Sequence, residues 1–297
     1  MRAFGLEVGS DFPLPGDRGP AAAEPDLSLR AAGAAAIDAT WSGHAGPPIW
    51  ETVIDGLPFE LAAGRDGDHR MRWGDHPFHL SARADVLLCA VPSPADPGWQ
   101  RQLLDTVLHT TALIRGADAL HASAVEIGGR AVGIIAVSGG GKTTLASELM
   151  RRGRRLVADD IVVICRGDGG FVAEPGPPLM NLPAARIDAL GDAVSLTRVA
   201  DLGDEVLVEV GGAVTEPLPL GALWLLERRD GAETSAERVP ASPLPLVGHT
   251  LLLRNREDSD RHIFDLLGDV SDAVPVFRLR ADAAVGPEAL ADLIEGS

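Results

Sequence analysis

The sequence predicts an α/β fold, a P-loop nucleotide-binding core preceded by a small β-rich N-terminal domain. A glycine loop stands between an apolar strand (131–136) and an amphipathic helix that opens near Lys142. Short alternating runs broken by Gly, Pro and Asp fill residues 1–95, and strand and helix patterns alternate over 96–297. These boundaries define the two expected domains, with the first placed to dock a substrate or partner.

The loop reads Ala136-Val137-Ser138-Gly139-Gly140-Gly141-Lys142-Thr143-Thr144, the form G-x-x-x-x-G-K-[ST] with Ala at the position where Gly is usual. Consecutive glycines let backbone N–H groups wrap an anion, and the helix N-terminus adds unpaired donors. Lys142 then reaches the β/γ-phosphates. Thr143 offers a hydroxyl to Mg²⁺, which takes hard oxygen ligands.

In the N-terminal part, strands are expected at Phe4–Val8, Asp26–Arg30, Trp50–Ile54, Leu57–Leu61, His69–Trp73 and Asp85–Val91. The Pro/Gly/Ala stretch 13–25 reads as a loop, and Pro92-Ser93-Pro94-Ala95-Asp96-Pro97 as the domain boundary. Trp99–Arg115 is helical by period, with Leu103, Val107, Leu108 and Ala112 on one face.

His121–Ile127 and Arg130–Val137 flank Gly128-Gly129 and read as a hairpin on a two-residue turn. That turn fixes the register: Ile127 faces Arg130 and His121 faces Ala136, so a histidine sits beside the phosphate loop. The helix after the loop stops at Gly153. Arg154–Cys165 then reads as one strand with Asp159 and Asp160 in its middle. Adjacent side chains on a strand point to opposite faces, so the two carboxylates divide their roles unless a bulge re-aims one. One division gives one carboxylate to Mg²⁺ and the other to a nucleophile's proton. Further strands are expected at Gly221–Arg228 and Val274–Arg280, and helices at Leu244–Leu253, Asp258–Leu267 and Pro287–Ile294.

The formal net charge of −17 argues against broad binding to nucleic acid or anionic membrane, which needs clustered Lys and Arg. Two cysteines, Cys89 and Cys165, end apolar runs as small buried thiols do, which fits a reducing, cytoplasmic setting. No signal pattern or membrane-length apolar run is present, so a soluble protein is expected.

The stretch from Leu120-His121-Ala122-Ser123 through Ser138-Gly139-Gly140-Gly141-Lys142-Thr143 to Arg155-Leu156-Val157-Ala158-Asp159-Asp160 resembles the catalytic core of the HPr kinase/phosphorylase family. The resemblance is strong there and weak over 100–297. It implies an ATP-dependent serine kinase that uses ATP and Mg²⁺. Carried over by residue, it implies that Ser138, Gly139, Gly140, Gly141, Lys142, Thr143 and Thr144 bind the nucleotide. It further implies that Thr143 with Asp160 holds Mg²⁺, that Asp159 takes the serine proton, and that His121 orients the site. Phosphoryl transfer asks mainly for positioning, charge neutralisation and a proton acceptor, which agrees.

Two departures qualify that resemblance. The family's arginine- and glycine-rich signature is replaced by Glu174-Pro175-Gly176-Pro177-Pro178-Leu179-Met180-Asn181, which argues against the reverse phosphorylase reaction while leaving Glu174 as a carboxylate that could approach a metal. The opening Phe4-Gly5-Leu6-Glu7-Val8 and Asp11-Phe12-Pro13-Leu14-Pro15 is more similar to kinases of this superfamily that accompany lasso-peptide pathways. Those imply a peptide or small-protein partner carrying an acceptor serine, with the precursor's C-terminal serine as one candidate. A homo-oligomer is compatible with both.

Two other readings stand beside this one: a small-molecule kinase on the same core, and a nucleotide-sensing binding protein with little turnover. Asp75-His76-Pro77-Phe78-His79 with His69 reads as scattered surface histidines rather than a metal site. Arg254, Arg256 and Arg261 are candidates to supply a cation to the phosphate.

Overall fold

The structure, a computed structural model, describes residues 1–17, 24–41, 48–54, 56–92, 96–251 and 259–296. Its contacts divide the chain into two units, Met1–Gly116 with Leu252–Ser259, and Ala117–Leu251 with Asp260–Ser297. Arg254 and Arg256 lie outside the described residues, as do parts of the expected 13–25 loop and 92–97 boundary.

In the first unit, turn residues cut the chain into short strands: β1 (Arg2–Ala3), β2 (Leu6–Ser10), β3 (Leu27–Ala31), β4 (Pro48–Ile54), β5 (Leu57–Ala63), β6 (His69–Trp73), β7 (His76–Leu80) and β8 (Val86–Cys89). They pair in the order β1-β2-β3-β8-β7-β6-β5-β4, with helix α1 (Ala34–Thr40) against β7. Phe4 and Gly5 take φ of 56° and 78°, so the strand expected from Phe4 begins at Leu6 instead. The histidine stretch at 75–79 is corrected as well. It is a hairpin strand in which Phe78 is fully buried and His76 and His79 are half-buried.

Asp96 caps the following helix by accepting from Trp99 N–H at 3.1 Å, and Pro97 sits in its first turn, where its missing donor costs nothing. Helix α2 (Pro97–Gln102) runs through a π turn (Leu103–Val107) into α3 (Leu108–Ile114). This segment packs with the β-rich unit: Trp99 stacks on Phe78 at 6.1 Å and meets Phe12 at 5.8 Å.

The second unit is built on a hairpin of β9 (Asp118–Ile127) and β10 (Arg130–Ile135). Gly128 and Gly129 both have positive φ, as the two-residue turn requires, and the register runs from Arg130↔Ile127 to Ile135↔Ala122 as the sequence predicts. After the loop come α4 (Lys142–Arg151), β11 (Arg155–Ala158), β12 (Ile161–Gly167), β13 (Gly170–Ala173), β14 (Leu179–Pro183), α5 (Ala184–Leu190), β15 (Leu196–Asp201) and β16 (Glu205–Val210). They are followed by β17 (Leu218–Arg228), β18 (Ser235–Arg238), α6 (Leu244–Val247), β19 (Thr250–Leu251), α7 (Ser259–Ala273), β20 (Val276–Ala281) and α8 (Pro287–Glu295). Strand β10 pairs antiparallel with β9 and parallel with β17, which in turn runs parallel to β20. Pairing also passes from β9 through β12 and β13 to β17, so five strands close on one another.

A strand covered on both faces must be apolar throughout, and Ala131 to Ile135 is buried without interruption. Helix α4 packs Leu145, Leu149 and Met150 into the core that holds Ile134, Trp224 and Leu290. The helix expected over Leu244–Leu253 ends at Val247, because Gly248 breaks it and Thr250 pairs with Leu120; Leu252 and Leu253 lie outside the described residues.

The buried carboxylate of Glu148 ties α4 to its neighbours. It accepts from Arg151 at 2.6 Å, Arg152 at 3.3 Å and, on α5, Arg186 at 2.9 Å, and Arg152 continues to Asp292 of α8 at 2.7 Å. Burial alone would push the Glu148 carboxyl up. The guanidiniums outweigh burial and hold it down at about 2, against an ordinary 4.5. A depressed carboxyl stabilises the fold above its unfolded value, and that contribution is lost as pH falls through its folded value. Glu148→Ala should therefore destabilise the protein by about 3 kcal/mol or more, because three guanidiniums lose their partner. In denaturant unfolding, the stability gap between wild type and Glu148→Gln should close as pH falls from about 5 to about 2. A gap independent of pH would refute this account of α4.

Candidate active site

The loop forms where β10 gives up its pairing. Gly139 and Gly141 take φ of 70° and 96°, which L side chains rarely adopt. A Cβ on Gly140 would stand 2.8 Å from Ala136 Cβ and 2.9 Å from the Val137 carbonyl oxygen, so glycine is obligatory there. Ala136, in place of the usual glycine, is accommodated because its methyl is buried in the core cluster. Helix α4 then begins at Lys142 with no side-chain cap, leaving its first N–H groups aimed at the loop. Arg228, a residue the sequence analysis did not single out, lies beside Gly141 and is held by the carbonyls of Ala283 and Val285.

Lys142 is only 5% exposed, and its ammonium lies 2.9 Å from His121 Nε2 and 4.0 Å from Asp160 Oδ1. An ammonium only donates, so Nε2 accepts and the ring proton sits on Nδ1. That proton points at the Asp160 carbonyl oxygen, 3.0 Å away. The histidine is thus fixed at both nitrogens.

The expected single strand over Arg154–Cys165 is broken at the aspartate pair. Ile161 N–H bonds to the Asp159 carbonyl at 2.8 Å and Asp160 takes φ of 63°, a tight turn that Asp tolerates better than most residues. The turn presents the Asp160 carbonyl to Ala122 N–H at 3.1 Å and leaves the Asp160 side chain 46% exposed beside Lys142. Asp159 turns the other way and accepts from Thr143 Oγ1 at 3.0 Å and from Ser123 Oγ.

The structure thus brings His121, Lys142, Thr143, Asp159 and Asp160 together at the mouth of the loop. Thr143, however, lies with Asp159 and not with Asp160 as the resemblance implies. His121 does not pair with Ala136 either: β10 ends at Ile135, and His121 N–H bonds to the His249 carbonyl at 2.7 Å. Glu174 is buried after β13, with its N–H on the Val163 carbonyl at 2.9 Å, and Arg261 is exposed on α7. Among the described residues no cluster of three His, Cys, Asp or Glu side chains could hold a metal alone. A Mg²⁺ ion bound by one or two protein oxygens plus phosphates does not need one.

Comparison with known proteins bears on this geometry. HPr kinase/phosphorylase of Prosthecochloris aestuarii is 31% identical over 128 residues, 43% of this chain and 36% of that protein. HPr kinase/phosphorylase 1 of Oceanobacillus iheyensis is 47% identical over 63 residues, 21% and 20% of the two chains. The Streptococcus thermophilus HPr kinase/phosphorylase is 37% identical over 92 residues, 31% and 30% of the two. The chain is HPr kinase-like over part of its length.

The HPr kinase-like match spans about a third or less of the length of these curated relatives. No family model matches the chain. The structure of the Hpr(Ser) kinase/phosphatase from Coxiella burnetii overlaps 60% of this chain and 91% of its own at 15% identity, with a TM-score of 0.32, too loose a superposition to extend the likeness.

The hydrogen bonds at His121 lead to a direct test. Long-range ¹H–¹⁵N correlation NMR at neutral pH should find His121 as the Nδ1–H tautomer, and Lys142→Met should shift its Nε2 signal. An Nε2–H tautomer would contradict the Lys142 contact.

Proposed function

We propose that this chain is an ATP-dependent kinase that transfers the γ-phosphoryl group to a serine hydroxyl of a peptide or small protein. The observation that carries the proposal is the placement of two differently set carboxylates at one phosphate loop: Asp159 among hydroxyls, Asp160 open to solvent beside Lys142. The residues fit the nucleotide. The loop has no room for a side chain at Gly140, α4 aims free N–H groups at it, and Lys142 and Arg228 supply positive charge.

Thr143 and Asp159 offer adjacent hard oxygens, the pairing by which P-loop enzymes hold Mg²⁺, and the ion when bound neutralises charge on the β- and γ-phosphates. Asp160 is then the carboxylate free to receive the acceptor's proton. The oxygen–phosphorus bond to ADP breaks as the bond to the serine oxygen forms, and the serine proton passes to Asp160. These roles exchange the two aspartates relative to the assignment implied by family resemblance.

A lasso-type precursor peptide ending in serine is the acceptor to test, by intact mass after incubation with ATP and Mg²⁺. Wild type should add mass in units of phosphate. Asp160→Asn should bind MgATP within about threefold of wild type yet lose roughly 100-fold or more in transfer rate, the scale of a missing general base. Asp159→Asn should lose MgATP affinity. MgATP binding without phosphate on any serine would refute the serine-kinase reading in favour of a metabolite kinase or a nucleotide sensor, and the opposite split between the two variants would restore the roles implied by resemblance.

A further inference from the structure

Strand β19 pairs Thr250 with Leu120 and Leu251 with Ala119. Continued by one residue into the turn before β19, that register sets His249 opposite His121; the 2.7 Å bond from His121 N–H to the His249 carbonyl joins them, while His249 N–H turns back to the Leu246 carbonyl at 2.9 Å. Directly opposed residues on antiparallel strands carry their side chains on the same face, with Cβ atoms roughly 5 Å apart. That face is the one on which His121 meets Lys142. His249 is half-buried, and desolvation together with the positive charge of Lys142 lowers its proton affinity, so the ring lies within the field of that ammonium.

We propose that His249 is a further residue of the transfer site, its imidazole facing the phosphoryl group carried by the loop and donating an N–H to one of that group's non-bridging oxygens. The inference rests on the kinase reading above. Lys142 reaches the nucleotide from α4 and Arg228 lies beside Gly141, so both approach from the loop side. His249 approaches along the edge of β9 that β10 and the loop leave, from the β19 end, and so reaches the loop's mouth from a different element than either cation. An N–H there stabilises charge on the phosphoryl oxygens as they leave ADP, without itself gaining or losing a covalent bond.

Two readouts separate this role from a structural one. The backbone carbonyl that holds His121 survives any substitution of His249, so a merely structural role predicts unchanged kcat in His249→Ala. The proposal predicts a kcat at least about tenfold lower, with MgATP affinity within about threefold and partial recovery in His249→Gln, which keeps an N–H donor. Independently of turnover, the His249 Cε1–H resonance, identified by its loss in His249→Gln, should move when a non-hydrolysable ATP analogue with Mg²⁺ is titrated into wild type. Movement of the His121 resonance with a stationary His249 resonance would overturn the inference while sparing the kinase reading. Absence of nucleotide binding by wild type would overturn both.

Discussion

The geometry of the site depends on one strand changing partners. On one edge, β9 pairs with β10 as far as Ala122 and with β19 from Leu120. On the other, it pairs with β11 as far as Ala124 and with β12 from His121. Each handover leaves a gap, and the gaps lie at the same level of the strand. Through one the chain departs as the phosphate loop; in the other it makes the Asp159–Asp160 turn. Two segments far apart in chemistry are thereby set on either side of His121 and Ser123, which stand two residues apart and share a face.

Strain at these exits is held by the surrounding pairing. A non-glycine residue with positive φ costs on the order of 1–2 kcal/mol. The carbonyl of Asp160 recovers part of that through its two donors, Ala122 N–H and His121 Nδ1–H. The arrangement couples backbone to function: the hydrogen bond that fixes the histidine's tautomer also holds the turn that exposes the carboxylate. At the loop, the buried Ala136 methyl and the absent side chain at Gly140 are two halves of one packing solution.

These same handovers mark where the sequence is legible and where it is not. The hairpin register could be counted from Gly128-Gly129 because a two-residue turn is a local rule, and that count already carried His121 to the loop. It overshot at Ala136 because nothing local says where β10 must yield its edge. The aspartate pair was visible as carboxylates in an apolar run, but hydrophobic alternation records faces and not φ, so the turn that sends Asp160 outward left no trace. His249 was beyond reach for a different reason. It joins through a two-residue strand, too short for any period to register, and 128 positions separate it from His121. In the N-terminal unit, Gly, Pro and Asp marked most strands correctly, whereas β7 was hidden by a proline and two histidines that suggested surface.

The mode of holding Lys142 has a consequence for binding. Its buried ammonium is bonded to a neutral imidazole at 2.9 Å, with the nearest described carboxylate contact at 4.0 Å on a half-exposed side chain. Breaking a tight buried ion pair costs about 3–5 kcal/mol, whereas a hydrogen bond to a single charged partner contributes about 1.5–3 kcal/mol. The lysine is therefore ordered and desolvated, yet held by the weaker of the two bonds, and an anion entering the loop has less to displace. The His121 lone pair it vacates then faces the space that His249 shares, so an anion in the loop alters both rings at once.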